Sequence, residues 1–336
     1  MNLVAVLIVR DEAAHLPGCL SSLGGVVDGV HVHDTGSTDG SPQLARSLGA
    51  TVSAGEWRDD FAAARNAAVA AAGAPDWVLS IDADERAVAV PGRLRTRLAA
   101  APADAFVVEL DNRHDELPYT HRATRLFRPA ALRWEGRVHE RLAPDGDRPA
   151  MPREALHLIH HGYEDAGTRH RKSVRNVALA ERRWHEVSDA SDRPTILLDL
   201  ARSYVGAGRL QAAVDTFEQL RATAPGTRQW ILGTDALARL LLGAGHDDAV
   251  VLLARQLRDE GVDPGYCNWL EAQALAQLGH ANEAWRLLRT VDQVVDPAGR
   301  VYPPAHLAEL KRLLAQLVGV TDPAPPDRSS PAGSRR

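Results

Sequence analysis

Val78-Leu79-Ser80-Ile81-Asp82-Ala83-Asp84-Glu85 passes from an apolar run into three carboxylates within four residues. Val78, Leu79 and Ile81 predict a short buried strand, so that Asp82, Asp84 and Glu85 emerge at its carboxyl end, where open α/β sheets place their ligands. Hard oxygen ligands in small number suit Mg2+ or Mn2+ completed by a phosphate-bearing substrate. Taken alone, the stretch is equally an acidic turn after a strand.

The chain around it alternates. Leu3 to Val9 is an almost unbroken β-rich apolar run, the pattern of a strand buried on both faces of a parallel sheet. Ala13, Leu16, Leu20 and Leu23 fall at helical spacing over 12–23, and Val26 to Val32 predicts a second strand ending at His33-Asp34. A turn of hydroxyls and glycine at 35–40 leads into a helix opened by Ser41-Pro42 and running to about Leu48. Ala50 to Ala54 reads as a third strand, 60–72 as an alanine-rich helix and Trp77 to Ile81 as the fourth strand. This β-α-β-α-β-α-β order predicts a mostly parallel, Rossmann-like sheet with right-handed crossovers. From Ala105 the texture changes to strand-like pieces at 106–110, 123–128 and 132–134, a mixed extension of the sheet that closes on Leu156-His157-Leu158-Ile159-His160-His161-Gly162-Tyr163.

Beyond Lys172 the pattern is helical and repeats. Ala201 to Gly208, Ala238 to Gly245 and Ala272 to Gly279 each place Ala seven residues before Gly, with the glycines 37 and 34 residues apart. Ala213, Ala249 or Ala284 then opens a second amphipathic helix. A period near 34 with small residues where paired helices touch resembles tetratricopeptide (TPR) repeats. The expected organisation is an α/β domain at 1–165, an all-α helical-repeat domain at 166–320, and a Pro/Ser/Arg-rich disordered tail at 321–336.

Composition narrows the function classes. A net charge of −5 with 25% charged residues lacks the basic surplus of a nucleic-acid binder. Cys19 and Cys267 form no C-x-x-C pair, so no thiolate zinc site or disulfide framework is expected, and a reducing cytoplasm fits. The apolar start at 1–9 stops at Arg10-Asp11-Glu12, too short for a signal or a span, and no later run is long enough to be a transmembrane segment.

Four motifs follow in order: Val9-Arg10-Asp11-Glu12; His33-Asp34-Thr35-Gly36-Ser37-Thr38-Asp39; Asp60-Phe61 with Ala64-Arg65-Asn66; and Asp82-Ala83-Asp84-Glu85. Together they resemble family 2 glycosyltransferases of the GT-A fold over roughly residues 1–163. A later Val138-His139-Glu140 and the helical-repeat extension look closest to glycocin peptide S-glycosyltransferases and to lipopolysaccharide-core sugar transferases.

That resemblance implies roles. Val9, Glu12, Asp34, Arg65, Asp82 and Ala83 would surround a nucleotide-sugar donor, with Asp82 toward the ribose or a bridging water. Asp84 would be the direct ligand of Mn2+ or Mg2+, and a histidine late in the domain would complete the cation site. His160 is the candidate and His161 the alternative. Glu140 would be the base that takes the acceptor proton, Glu135 being the rival carboxylate. Arg125 or Arg137 would help neutralise the departing diphosphate. The structural alternatives are a helix arginine at 65 paired with Asp59 or Asp60, and a Glu140 paired with Arg137 or Arg141. Ser37 and Thr38 read as turn-forming and capping residues, and Glu85 as shaping its turn.

The expected activity is inverting, metal-dependent transfer from a nucleotide sugar, most simply UDP-linked, to a peptide side chain, small natural product or glycan. The helical repeats motivate the peptide acceptor and are also a candidate homodimer surface. The alternatives are a cell-envelope saccharide transferase, for which Arg169-His170-Arg171-Lys172 is the short basic candidate for membrane docking, and a non-catalytic TPR interaction protein with a remnant first domain. A nucleotidyltransferase or phosphotransferase would show a glycine-rich phosphate loop near the amino terminus, and Val9-Arg10-Asp11-Glu12 has no glycine.

Overall fold

The computed structural model describes residues 1–113, 119–138, 140–144, 146–161, 166–187 and 190–320, with the side chains of 166–172 excepted. Gly162-Tyr163, His139, the side chains of the basic cluster at 169–172 and the tail at 321–336 therefore lie outside the described residues.

The chain opens with β1 (Leu3–Val9), α1 (Leu16–Leu23), β2 (Gly29–Asp34), α2 (Ser41–Ser47), β3 (Thr51–Ala54), α3 (Phe61–Ala71) and β4 (Trp77–Ser80), the predicted alternation. Next come β5 (Glu85–Ala89), α4 (Pro91–Ala99), β6 (Ala105–Asn112), β7 (Tyr119–Phe127), β8 (Arg133–Glu135), β9 (Arg141–Ala143) and β10 (Leu156–His160). The helices α5 (Ala166–Glu186), α6 (Arg193–Gly206), α7 (Leu210–Thr223), α8 (Arg228–Gly243), α9 (Asp247–Asp259), α10 (Pro264–Gln277), α11 (Ala281–Leu288) and α12 (Pro304–Leu317) follow.

Eight strands form one sheet in the order β3-β2-β1-β4-β7-β6-β10-β5. The first four are mutually parallel, β7 runs antiparallel to both β4 and β6, β10 runs parallel to β6, and β5 closes the edge antiparallel to β10. The architecture is the expected GT-A-like, mostly parallel sheet followed by helices. Period-two alternation explains why β1 is apolar throughout. Leu3, Ala5, Leu7 and Val9 pack on one face with Leu16, Leu20 and Leu94, while Val4 and Val6 pack on the other with Ala62 and Ala68 of α3.

Two elements differ from the sequence expectation for local reasons. Helix α1 starts at Leu16 rather than Glu12, because Asp11 takes a left-handed φ of 57° and Pro17 sits in the first turn. Strand β5 and helix α4 follow the acidic stretch directly; Glu85 and Arg86 at the start of β5 mask a short strand at the sheet edge. The acidic residues thus lie in a tight link between β4 and β5.

Register fixes where the motifs meet. Val9 pairs with Asp34 at the ends of β1 and β2, and Val6 pairs with Ser80 of β4, so all three loops leave one edge of the sheet. On β10, His160 lies opposite Glu85 of β5 and opposite Asn112 of β6.

The chain divides into two compact units. The first comprises Met1–Leu237 with Pro297–Tyr302, and the second comprises Ala238–Asp296 with the described residues from Pro303 onward. The position 165/166 lies inside the first. There α5 packs on α6 and α6 on α7; in the second, α10 packs on α9 and on α11. The repeat glycines have one job. Gly208, Gly245 and Gly279 take φ of 71°, 77° and 83°, each donating back to Val205, Leu242 or Ala276, while the next amide reaches Tyr204, Leu241 or Leu275. That double closure is a Schellman cap, which a β-carbon would strain.

Candidate active site

The first two motifs close on each other. The Asp11 amide donates to Ser37 Oγ at 2.9 Å and the Thr38 amide to Asp11 Oδ1 at 2.7 Å. The Glu12 amide donates to Ser41 Oγ at 2.8 Å, and that of Ala13 to Asp39 Oδ2 at 2.9 Å. Ser37 and Thr38 therefore build the turn. Asp34 is buried, and its carboxylate accepts from the amides of Gly36 and Ser37 at 3.2 Å.

Each letter of the third motif has a structural task. Asp60 caps α3 by accepting from the Ala63 amide at 2.8 Å. Asn66 grips the backbone of Trp134 with both amide atoms, at 2.9 and 3.0 Å, and so ties α3 to β8. Arg65, buried and lying over the Trp134 ring at 5.1 Å, donates to Glu140 Oε1 at 2.6 Å, Ser80 Oγ at 3.1 Å and Asp82 Oδ1 at 3.1 Å. Burial works against its charge, but Asp82 and Glu140 outweigh that and hold the guanidinium further up. The expected surface partners are engaged elsewhere: Asp59 accepts from Trp57 Nε1 and Arg182, and Arg137 pairs with Glu186. Glu135 pairs with Arg133 at the surface.

Arg125 of β7 completes the network. Its Nη2 donates to Asp82 Oδ2 at 3.0 Å and Glu85 Oε1 at 2.6 Å. Burial pushes the Asp82 carboxyl up, yet Arg125 and Arg65 together hold it well below the usual carboxylate range. Glu85 is buried more deeply, and burial pushes it up to about 7 against the pull of Arg125. Its Oε2 also accepts from the Asp82 amide at 2.9 Å, so Glu85 both shapes the turn and anchors Arg125.

Asp84 and His160 face each other, Oδ2 to Nε2, at 3.0 Å. Asn112 fixes the imidazole. Its Nδ2 donates to His121 Nδ1 at 2.8 Å, which leaves its Oδ1 to accept from His160 Nδ1–H at 3.0 Å. His160 Nε2 is then the nitrogen aimed at Asp84. Burial would depress this histidine, but the hydrogen bond to Asp84 and the charges of Asp84, Glu85 and Asp82 raise it. His161 donates its backbone amide to the Asp84 carbonyl at 3.0 Å.

A divalent cation fits this pair. Cis ligands about 2.1 Å from an octahedral ion stand about 3.0 Å apart, the separation the two side chains already have. The tautomer that Asn112 imposes is also the one a metal requires. Among the described residues no group of three His, Cys, Asp or Glu side chains is placed to hold an ion, so the remaining ligands would be phosphate oxygens and water.

Two cavities meet at the Arg65–Asp82 pair. One, of about 250 Å3, is lined by Val9, Glu12, Thr35, Asp82, Ala83, Asp84 and His160, and by Arg10, Trp57, Phe61 and Arg175. The other, of about 510 Å3, is lined by Glu140, His121, Thr124, Arg125, Arg141 and Arg148. Of the residues singled out from sequence, Val9, Glu12, Arg65, Asp82, Ala83, Asp84 and His160 line the first cavity, Arg125 and Glu140 line the second, and Asp34, Glu135, Arg137 and His161 line neither. Asn112, Trp57 and Arg175 were not anticipated; each comes from an unremarkable stretch of strand, loop or helix that only the fold brings to this edge.

Residues 5–163 match the family model "Glycosyl transferase family 2". A TPR repeat-containing protein of Synechococcus elongatus is 43% identical over 137 residues, covering 40% of this chain and 34% of the relative, so the chain spans about a third of that relative's length. Among solved structures, MamA of AMB-1 is 17% identical at a TM-score of 0.34, covering 46% of this chain and 76% of that one. Glucosyl-3-phosphoglycerate synthase from Mycobacterium tuberculosis is 22% identical at a TM-score of 0.27, covering 34% and 44%. At those TM-scores neither likeness bears on fold or site.

Proposed function

We propose that this protein transfers a sugar from a nucleotide-sugar donor to a nucleophile on a peptide side chain or natural-product acceptor, with inversion at the anomeric carbon. The observation that supports this most directly is the shared wall between the two cavities. The wall residue Asp82 continues into the cation pair Asp84–His160 on one side, while Arg65 carries Glu140 on the other. Donor and acceptor then approach from opposite sides of one ion pair.

Val9, Glu12, Asp82 and Ala83 line the donor side, and Asp34 serves it by rigidifying the 34–39 turn. At about 250 Å3 the donor cavity is below the usual range for whole drug-sized ligands, so it suits the diphosphate and sugar, with the base toward the rim. Asp84 and His160 would hold Mn2+ or Mg2+, which supplies positive charge against the leaving diphosphate. Glu140 takes the acceptor proton as the nucleophile forms its bond to the anomeric carbon and the bond to the diphosphate breaks. Arg65 fixes Glu140 through Oε1, and among the described residues no hydrogen bond occupies Oε2. If the acceptor is a thiol, its readier ionisation lightens the work of that base.

The test is a panel of UDP-, GDP-, dTDP- and CMP-linked sugars with Mn2+ or Mg2+, read by mass spectrometry for the released nucleotide. Metal-dependent release from one donor is expected. No release from any donor, together with no binding of any of these nucleotides, would sink the reading.

A further inference from the structure

Arg175 stands out from the other arginines of the site. Arg65 and Arg125 are each held by two carboxylates. Arg175 of α5 has no ion pair among the described residues; its Nε–H is buried and donates to nothing, and its one hydrogen bond is a long 3.4 Å contact from Nη2 to the neighbouring Asn176 Oδ1. Asp59, whose charge acts on it, is hydrogen-bonded to Trp57 and Arg182. Instead the guanidinium lies over Trp57 at 5.8 Å and Phe61 at 5.1 Å, two rings that meet edge to face at 4.8 Å. All three line the donor cavity with Arg10.

A guanidinium cannot shed its proton, so partial burial without a counter-ion leaves a charge that the protein must tolerate or a ligand must match. Stacking on two aromatic faces offsets only part of that cost. Burial, and then the charge of Arg10, pull Arg175 down from its ordinary value. The lining of the cavity therefore combines the acids Glu12, Asp82 and Asp84 with the cations Arg10 and Arg175.

We propose that Arg175, with Arg10 beside it, binds the diphosphate of the nucleotide-sugar donor, so that helix α5, beyond the matched residues 5–163, completes the donor cavity. This rests on the glycosyl-transfer reading and adds to it a donor contact from outside the matched domain. The planar fork suits a bidentate grip on phosphate oxygens, and the aromatic pair holds it in place for that grip. Arg175 would then act as a binding residue.

Calorimetry on the full chain with Mg2+ tests this, using UDP, GDP, inorganic pyrophosphate and uridine against wild type, Arg175→Gln and Arg175→Lys. Melting temperatures and far-UV circular dichroism check that each variant is folded. Expected is about tenfold or greater weakening of pyrophosphate and of the preferred nucleoside diphosphate in Arg175→Gln, a smaller loss in Arg175→Lys, and unchanged uridine binding. Diphosphate and pyrophosphate affinities equal in wild type and a folded Arg175→Gln would overturn the inference while leaving glycosyl transfer standing. Pyrophosphate binding that depends on Arg175, in a protein that releases no nucleotide from any sugar donor, would support the anion site and defeat the transferase reading.

Discussion

Arg65→Met tests whether the wall between the two cavities is held by its central ion pair. Methionine keeps most of the apolar stem and removes the charge. The Glu140 contact is short, with side chains 10% and 14% exposed, so losing it strands a largely buried carboxylate at a cost of about 3 kcal/mol. Asp82 is 35% exposed and keeps Arg125, so its share is at most about 0.5 kcal/mol. The lost stacking on Trp134 adds about 0.5 kcal/mol. The total, about 4 kcal/mol, corresponds to a fall of roughly 8–16 °C in the transition of the first unit, measured by scanning calorimetry. Much of the cost is the stranded charge, so Arg65→Met with Glu140→Gln should regain about 2 kcal/mol over Arg65→Met alone. If Arg65→Met melts within about 2 °C of wild type, or the double variant is destabilised by the sum of the single effects, the ion pair is not what holds the wall.

Three further outcomes are expected. Glu140→Gln should lower turnover by about a hundredfold or more while donor affinity changes little, as steady-state kinetics with the active donor would show; equal losses in both would assign Glu140 a structural role. Asp84→Ala should abolish transfer with the melting temperature nearly unchanged, and normal activity of that variant in EDTA would remove the cation from the reaction. His121 is depressed to about 4 by burial and by Arg125, Arg300 and His160. Its folded form thus binds fewer protons than the unfolded chain between pH 6.5 and 4, so its contribution is whole above pH 6.5 and declines as pH falls toward 4, by about 2 kcal/mol allowing for partial exposure. The wild-type stability profile minus that of His121→Asn should show this slope, and a flat difference would refute it.

The sheet was legible because its strands carry unambiguous texture. The apolar run at 3–9 admits few readings other than a doubly covered strand, and the helix over 60–72 announces itself by its alanine content. The three repeat glycines were equally plain, since a left-handed cap tolerates little else. Strand β5 was hidden by the charges that open it. Within the site, the four motifs marked the right edge of the sheet but not the partners across it. Arg65 reads locally as a helix arginine with acids nearby, and nothing short of the fold tells that its carboxylates lie at 82 and 140. Asp34 carries a task the sequence did not announce: its carboxylate accepts from the amides of its own turn. Asn112 sits in a strand whose polar residues look like solvent-facing alternation, so its inward role has no sequence signal, and Arg125 was named as a helper for the diphosphate without its carboxylate partners Asp82 and Glu85.

The arrangement of Arg65 and Asp82 carries an evolutionary consequence. On the proposed assignment of the two cavities, substitutions that re-line either chamber would alter the choice of one substrate and spare the other, leaving sugar preference and acceptor preference free to drift separately within a lineage. The partition itself has no such freedom, because a change there disturbs both chambers at once. Attempts to retarget the protein should therefore treat the two linings as independent libraries, around Thr35 and Glu12 on one side and around Thr124 and Arg148 on the other, and leave the partition untouched.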